Sequence, residues 1–367
     1  MKHPGGNTRV RRRALVALIG ALLIAAGCGE HEVQQAAPQP SPSSPPAGLA
    51  ALTDLTALAQ LRPPGYRVEQ VSSYDRSGGN NDLGIGPDTL ELFKILDPSA
   101  TELDNSYLYR DGDRYVIFDS RGPGIVYRIW MTGADGLFHG VLGGDIAFEL
   151  DDEPAPRLTL SLQDLFSGTQ PPFIAPLAGN LVVSSGGFYS LVPIPFAQRL
   201  RISTSHVPNW LHVTAARLPL DTAISSFDPA VDTTETAARL AAVGQDPKGI
   251  APTISAVTDL TVPAAGTQVV WERHAGGTIV QLELHAPSAV EIPLGLRLRA
   301  YWDEAAAPQV DAPLDDFFGA GLGAGAKSLA FGQDGDRYYC YFPMPFQGSA
   351  RLELHNDSDT DFTGWQL

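Results

Sequence analysis

Two stretches of sequence decide the fold: LDDEPAPRLTLSLQDLF at residues 150–166 and WDEAAAPQVDAPLDDFF at residues 302–318. They align without a gap at an offset of 152 residues, with six identities in 17 positions. Each contains an acidic turn, a proline, a short run of strand-forming residues and an Asp close to an aromatic residue. Because self-similarity at a fixed offset marks repeated structural units, the chain is predicted to contain two copies of one unit.

The similarity continues on both sides of these stretches. GIV at residues 124–126 corresponds to GTI at 277–279, and PIPF at 193–196 corresponds to PMPF at 343–346. Proline cannot donate to a central ladder, so each PxPF element is predicted to be a kink at a strand edge with its Phe in the core. Short alternating runs predict strands at 114–119, 124–131, 145–150, 157–162, 200–204, 212–218, 267–271, 278–284, 295–302 and 350–354.

Many short strands separated by turn residues are typical of a sandwich or jelly roll. The predicted fold class is therefore all-β, with tandem jelly-roll or β-sandwich units at residues 65–220 and 255–367. A polar connector at 221–254 joins the two units. Helices are predicted only at residues 52–61, 88–96 and 234–243.

The N-terminus has the pattern of an exported lipoprotein. Residues 1–27 contain five basic residues, no acid, and an apolar run that is too short to cross a bilayer. The segment ends in AAGC, which resembles the lipobox of bacterial lipoproteins, where the Cys, here Cys28, is acylated and becomes the new N-terminus. The glycine that follows indicates the outer membrane in a Gram-negative cell. The alternative is an ordinary signal peptide with an incidental Cys. Residues 28–64, rich in Pro, Ser and Ala, predict an extended tether.

Composition narrows the range of functions. The 367 residues are 44% hydrophobic and 18% charged, with a formal net charge of −16, and this acidity argues against nucleic acid as a partner. Cys340 has no disulfide partner if Cys28 is lipidated, and its aromatic neighbours in YYCYF predict a small buried residue. The eight His show no metal-ligand spacing, and Ala326 replaces a required Gly in the loop that most resembles a phosphate loop. Neither a metal nor a nucleotide cofactor is therefore predicted.

The acidic turns of the repeat are the first candidate for chemistry. Asp151 and Asp152, like Asp303 and Glu304, have the residue types of a paired-carboxylate acid–base site. Both copies keep acids at the same turn, which favours a scaffold role. In that role the carboxylates accept hydrogen bonds from backbone N–H groups and hold the turn.

The second candidate is SSYDRSGGNND at residues 72–82. Its two glycines allow a tight turn that presents Asp75, Arg76, Asn80 and Asp82 together. Such a group offers both donors and acceptors, as sugar hydroxyls require. The alternative, which the residues favour equally, is a hydrogen-bonded loop that closes one end of the sandwich.

These motifs carry a resemblance to a known family. SSYDRSGGNND, YVIFDSRGPGIVYRIWMTG, LQDLFSG and GGFYSLVPIPF resemble the domain of unknown function 2961, whose characterised members form glycoside hydrolase family 172. The likeness covers most of residues 66–360 and includes YWDEAAAPQVDAPLDDFFG and YYCYFPMPF in the second copy. The resemblance implies jelly-roll domains and assembly of identical chains into trimers or larger rings. It also implies a retaining mechanism on fructofuranose- or arabinofuranose-containing glycans.

The resemblance also bears on individual residues. Asp75, Arg76, Asn80 and Asp82 match the family's N-terminal motif and are expected to line a sugar pocket or a subunit contact. Trp130 is a candidate platform for a sugar ring, the alternative being a core position. The family's catalytic Glu pair lies in a segment resembling EGDE…DGE…GTGTEDY, which this sequence does not contain. No catalytic residue is therefore assigned, the second unit is expected to be incomplete, and the chain is expected to be inactive alone.

Three functions remain open after this comparison. The first is a split member of the family whose Glu pair comes from a separate chain. The second is a non-catalytic lipoprotein that binds envelope or environmental glycan with a surface of its sandwich, a furanose-containing glycan being the expected partner. The third is a purely structural envelope lipoprotein.

Overall fold

The computed structural model describes residues 48–133, 143–249, 251–288, 291–321 and 325–367. The predicted signal peptide, the predicted lipidation site at Cys28 and most of the predicted tether lie outside these residues. The segment before the first sandwich contains two 3₁₀ turns, at Gly48–Leu52 and Leu55–Ala59, where a single helix is predicted over 52–61.

The first sandwich is built from short antiparallel strands. In chain order they are β1 (Arg67–Ser72), β2 (Gly84–Ile85), β3 (Leu103–Asp104), β4 (Tyr109–Asp111), β5 (Arg114–Arg121), β6 (Gly124–Thr132), β7 (Asp145–Leu150), β8 (Leu158–Ser161), β9 (Thr169–Gln170), β10 (Phe173–Ile174), β11 (Ala178–Gly179), β12 (Phe188–Ser190), β13 (Ile194–Phe196), β14 (Arg199–Thr204) and β15 (Trp210–Arg217). Helix α1 (Pro87–Leu96) lies between β2 and β3, and α2 (Leu162–Phe166) follows β8. Pro87 opens α1, where its missing N–H costs no hydrogen bond.

Two sheets of this unit face each other across a common core. One has the order β1-β15-β6-β12-β11, with β13 also paired to β6, and the other has the order β4-β5-β14-β7-β8. Alternate residues of the strands point inward, so that Phe118, Phe148, Ile129 and Met131 are buried in one cluster. Each such side chain contributes about 1.5–3 kcal/mol by leaving water, and this burial fixes which face of each strand is outward.

The second sandwich follows helix α3 (Thr234–Ala241) of the connector. Its strands are β16 (Asp259–Val262), β17 (Thr267–Arg273), β18 (Gly277–Ile279), β19 (Leu282–His285), β20 (Leu296–Trp302), β21 (Val310–Pro313), β22 (Phe331–Asp334), β23 (Arg337–Cys340), β24 (Met344–Phe346), β25 (Ala350–Asn356) and β26 (Phe362–Gln366), with α4 (Leu314–Phe317) after β21. The sheets have the orders β16-β26-β19-β23-β22 and β17-β25-β20-β21, and β18 pairs with β24. Leu284, Leu298, Leu354 and Phe318 form the centre of the core between them. The all-β prediction and the β-sandwich prediction are confirmed.

The two sandwiches repeat the same local structure at the acidic turns. Asp151 and Asp152 have φ of 54° and 56°, and Asp303 and Glu304 have φ of 53° and 59°. Two successive non-glycine residues in the left-handed region are uncommon, since each carries a steric cost. Their recurrence after β7 and after β20 shows that the sequence repeat is also a structural repeat.

The carboxylates at these turns hold the neighbouring chain. Asp151 Oδ1 accepts hydrogen bonds from the N–H groups of Gln198 at 2.8 Å and Arg199 at 3.2 Å. Asp303 Oδ1 accepts from Gln347 N at 2.8 Å and Gly348 N at 2.7 Å in the corresponding place. For Asp151 and Asp303 the predicted scaffold role is confirmed, because their oxygens bind backbone groups. Asp152 instead binds the side chains of Arg121 and Arg199.

Other local predictions have mixed outcomes. Phe196 and Phe346 of the PxPF elements are buried, as predicted, and so is Cys340, whose pKa is raised by burial. The prediction of one continuous strand at 278–284 is wrong, since the structure divides this segment into β18 and β19. No helix within the described ranges has the length and apolar character needed to cross a membrane.

The connector contacts the outer face of β23. The Lys248 side chain is fully buried, with Nζ 2.8 Å from Asp246 Oδ1 and donating to Tyr341 O at 3.0 Å. Arg337 of β23 donates to Tyr341 Oη at 2.8 Å and to Gly244 O at 2.5 Å. Burial raises the pKa of Tyr341 to about 12, so its hydroxyl stays protonated in this cluster. These polar groups of the connector therefore have hydrogen-bond partners where burial removes them from water.

Candidate functional site

The outer face of β6 carries Trp130. Its neighbours along the strand, Ile129 and Met131, point into the core, so the indole points away from it and is half-buried. The register places Trp130 opposite His212 of β15 and Tyr189 of β12. We call Trp130, His212 and Tyr189 the aromatic row. Trp130 therefore does not occupy the core position that was the alternative, and its role as a platform for a sugar ring stays a prediction.

The rings of the aromatic row approach the backbone of the sheet closely because the adjacent positions are glycines. The centroids of Trp130 and His212 are 5.2 Å apart with an interplanar angle of 35°. A Cβ at Gly187 would collide with Trp130 Nε1, and a Cβ at Gly179 would collide with the Tyr189 ring. The absence of side chains at these two positions lets the rings rest against the backbone. The three side chains of the row are therefore partly exposed on the outer face of the sheet.

Electrostatics keep the row neutral. Burial, with a contribution from the nearby Arg128 charge, lowers the pKa of His212, so the imidazole is uncharged at pH 7. Burial raises the pKa of Tyr189, so its hydroxyl is protonated. A neutral imidazole offers one donor and one acceptor, and a phenol offers both. The row thus combines apolar faces with hydrogen-bonding edges.

The loop at residues 73–83 begins beside this row. Ser72 ends β1 opposite His212, and Ser73 N donates to Leu211 O at 3.1 Å. The candidate residues from the sequence therefore lie at the same end of the sheet as Trp130. Within the described residues, no hydrogen bond joins Asp75, Arg76, Asn80 or Asp82 to the row.

Most of the loop's polar groups bind one another. Asp75 Oδ1 accepts from Ser77 N at 2.9 Å, and Asp75 N donates to Asp82 Oδ1 at 2.8 Å. The Ser77 hydrogen bonds lower the pKa of Asp75. Arg76 donates to Asn105 O at 3.1 Å and lies 4.7 Å over the Tyr74 ring. These contacts favour the loop-closing interpretation for Asp75 and Asp82, whereas Asn80 is exposed.

Sequence reasoning missed His212, Tyr189 and Trp210. The strand sequence WLHVTAAR alternates, so Trp210 and His212 share the outward face of β15, and Trp210 pairs with Thr132 next to the row. That alternation could have identified Trp210 and His212 from the sequence. The pairing of Tyr189 with Trp130 could not be identified in this way, because it depends on which strands become neighbours.

The other sheet of the first sandwich has a charged outer face. Arg199 lies 2.7 Å from Asp119 and 2.9 Å from Asp152, and Arg201 contacts Glu149 and Asp111. The Arg199 hydrogen bonds lower the pKa of Asp119 and of Asp152. Carboxylates fixed in this way stay ionised and cannot donate a proton as a general acid. Among the described residues, no cluster of three or more His, Cys, Asp and Glu side chains could hold a metal ion.

Comparison with known families agrees with the two-sandwich architecture. The model of the GH172 first beta-sandwich domain matches residues 64–235, and the GH172 domain-like model matches residues 253–365. No curated protein matches the chain. The two matches are consecutive and together cover most of the sequence. The chain therefore belongs to the GH172-like family and is a glycoside-hydrolase-related protein.

Proposed function

We propose that the protein binds a furanose-containing glycan on the aromatic row of its first sandwich. The observation that carries this proposal is the outward and half-buried position of Trp130, flanked by His212 and Tyr189 in one cross-strand line. Aromatic faces bury the apolar side of a sugar ring, and neutral polar edges bind its hydroxyls. The furanose preference follows from the family resemblance.

The proposed activity is binding without hydrolysis by this chain alone. A retaining glycosidase needs two carboxyl groups about 5–5.5 Å apart, one of them protonated at working pH. Every described carboxyl group whose pKa is shifted by its surroundings has it lowered, which keeps it ionised. These nine carboxyl groups are therefore unsuited to act as the acid. We expect no sugar release from aryl arabinofuranosides or from inulin-type fructans.

The proposal extends to location and assembly. Cys28 would carry the lipid that anchors the protein to the cell envelope, and the Pro-rich segment would hold the sandwiches away from the membrane. Family resemblance supports a trimer of identical chains. A purely structural envelope role is the competing function, and the absence of any glycan binding would favour it.

The test is glycan binding by calorimetry with arabinan and inulin-type fructan. Trp130→Ala is expected to weaken binding about tenfold, because it removes the largest ring face of the row. Phe342→Ala is the matched control, since Phe342 is also partly exposed and its ring stacks 6.0 Å from Phe331. Equal affinity of wild type and Trp130→Ala, or no binding by wild type, would overturn the proposal.

The loop needs a separate variant. Asp75→Ala removes the acceptor of the Ser77 hydrogen bonds and should loosen the loop. If Asp75 closes the loop, Asp75→Ala lowers both the melting temperature and the glycan affinity. If Asp75 contacts sugar, affinity falls while the melting temperature is unchanged. The contacts of Asp75 lead us to expect the first result.

A further inference from the structure

The strand that carries Trp130 also carries an arginine without a partner. Arg128 lies two residues before Trp130 on β6, and Ile129 between them points into the core. The Arg128 side chain is therefore on the same outer face as the aromatic row, and like Trp130 it is half-buried. Within the described residues Arg128 has no hydrogen bond, ion pair or ring contact. Its guanidinium donors are thus left to solvent or to a ligand.

Several other arginines of this sandwich are paired with carboxylates. On the facing sheet these arginines are Arg114, Arg199 and Arg201. In the sheet that contains Arg128, the acidic residue among the strands is Glu69, and it lies 2.7 Å from Arg217 Nε. The charge of Arg128 is therefore not neutralised by the strands around it, although the chain as a whole has a formal net charge of −16.

The charge of Arg128 lies close to the aromatic row. Arg128 pairs with Thr214, which is two residues from His212 on β15. After burial, the positive charge of Arg128 is the second cause of the lowered pKa of His212. The loop at residues 73–83, which carries acidic residues, leaves the sheet on the other side of the row. A ligand on the row therefore meets a positive edge on the Arg128 side.

This arrangement selects the ligand more narrowly than the rings alone do. A guanidinium binds carboxylate or phosphate through paired N–H donors, and such charge-assisted bonds are stronger than neutral ones. One guanidinium is too few for a polyanion such as nucleic acid, whose binding requires many phosphate contacts. We propose that the glycan on the aromatic row carries an anionic substituent, a carboxylate or a phosphate, which pairs with Arg128. This inference rests on the proposed function, because it concerns the same site.

The test compares three probes that differ at one position. They are a linear arabinofuranose trisaccharide and its two derivatives with a carboxylate or a phosphate at the terminal hydroxymethyl group. In calorimetry at low salt, we expect at least one anionic probe to bind about tenfold more tightly than the neutral probe. Salt at about 0.5 M should reduce this preference, because it screens the ion pair. The larger gain in affinity identifies the anion as carboxylate or as phosphate.

Variants of Arg128 assign the preference to its charge. Arg128→Gln should bring the ratio of anionic to neutral affinity to about one, whereas Arg128→Lys should keep part of the preference because a cation remains. Arg273→Gln is the matched control and should keep the wild-type ratio. Arg273 of β17 is also half-buried and has no ion pair among the described residues, but it lies in the second sandwich. Melting temperatures check that each variant is folded.

Failure of this inference can be distinguished from failure of the proposed function. If none of the three probes binds the wild-type protein, the proposed function fails and this inference fails with it. If all three probes bind the wild type equally, glycan binding stands and the anionic substituent is refuted. Retention of the full preference by Arg128→Gln would refute the assignment to Arg128.

Discussion

Replacement of Asp151 tests how the acidic turn stabilises the first sandwich. The carboxylate accepts hydrogen bonds from Gln198 N at 2.8 Å, Arg199 N at 3.2 Å and the Ser226 hydroxyl. Burial alone would raise the pKa of Asp151, but these three donors outweigh it and lower the pKa. The turn is thus held by a charged acceptor that serves two distant segments at once.

The magnitude follows from the bonds and from the backbone. A hydrogen bond to a charged group is worth about 1.5–3 kcal/mol, and partial exposure reduces this to about 1 kcal/mol each. Asp151→Ala therefore loses about 3 kcal/mol from three bonds. It loses about 1 kcal/mol more because Ala tolerates a φ of 54° less well than Asp. The expected total is about 4 kcal/mol, or about 8–16 °C in melting temperature.

Two further variants at Asp151 separate the contributions. Asp151→Gly relieves the backbone cost and should lose about 3 kcal/mol, whereas Asp151→Asn keeps an acceptor oxygen and should lose about 1 kcal/mol. Chemical denaturation and calorimetry give these differences directly. Asp303→Ala is the matched control and should destabilise the second sandwich in the same direction. The reasoning is refuted if Asp151→Gly is as stable as wild type, since the hydrogen bonds would then contribute nothing.

The remaining predictions concern charge and reactivity. The Arg199 hydrogen bonds depress the pKa of Asp119, so this pair stabilises the fold above the ordinary carboxyl pKa of about 3.9. The stabilisation is lost as the pH falls through the pKa of Asp119 in the folded protein. Arg199→Met should flatten this acid dependence of stability in denaturation experiments from pH 6 to pH 2, and an unchanged slope would contradict the prediction. The pKa of His212 is lowered from 6.5, so the unfolded chain binds more protons at His212 than the folded protein does. The free energy of unfolding therefore decreases as the pH drops below about 6.5. His212→Gln should remove this part of the decrease, and a steeper decrease in the variant would show that His212 acts in the opposite direction. Burial raises the pKa of the Cys340 thiol, so in a Cys28→Ser background Ellman's reagent should react only after unfolding, and rapid reaction of the native protein would show that the thiol is accessible.

The fold was largely predictable because its signals are local. The two acidic turns, the PxPF elements and the buried Cys340 each follow from residue type and spacing, and the structure confirms them. Several strands were missed, among them β1 and β26. RVEQVS lies at the edge of its sheet with a mostly exposed burial pattern, and FTGWQ contains a glycine that interrupts the strand pattern.

The candidate site was predictable only in part, for a physical reason. Trp130 was identified from its residue type, but its partners His212 and Tyr189 lie in strands far along the chain. Strand order depends on the whole set of long-range pairings, which one sequence does not specify.

The contacts of the connector limit how this protein can be divided. Tyr339 and Tyr341 face outward from the second sandwich, yet both are almost completely buried, and they share a cluster with Leu55 from before the first sandwich. Lys248 of the connector also lies 4.9 Å over the Tyr341 ring. An expression fragment that began at residue 251 would expose two aromatic rings and leave Arg337 without its Gly244 acceptor. The two sandwiches share a repeated pattern, but the second one depends on Leu55 and the connector to cover these groups.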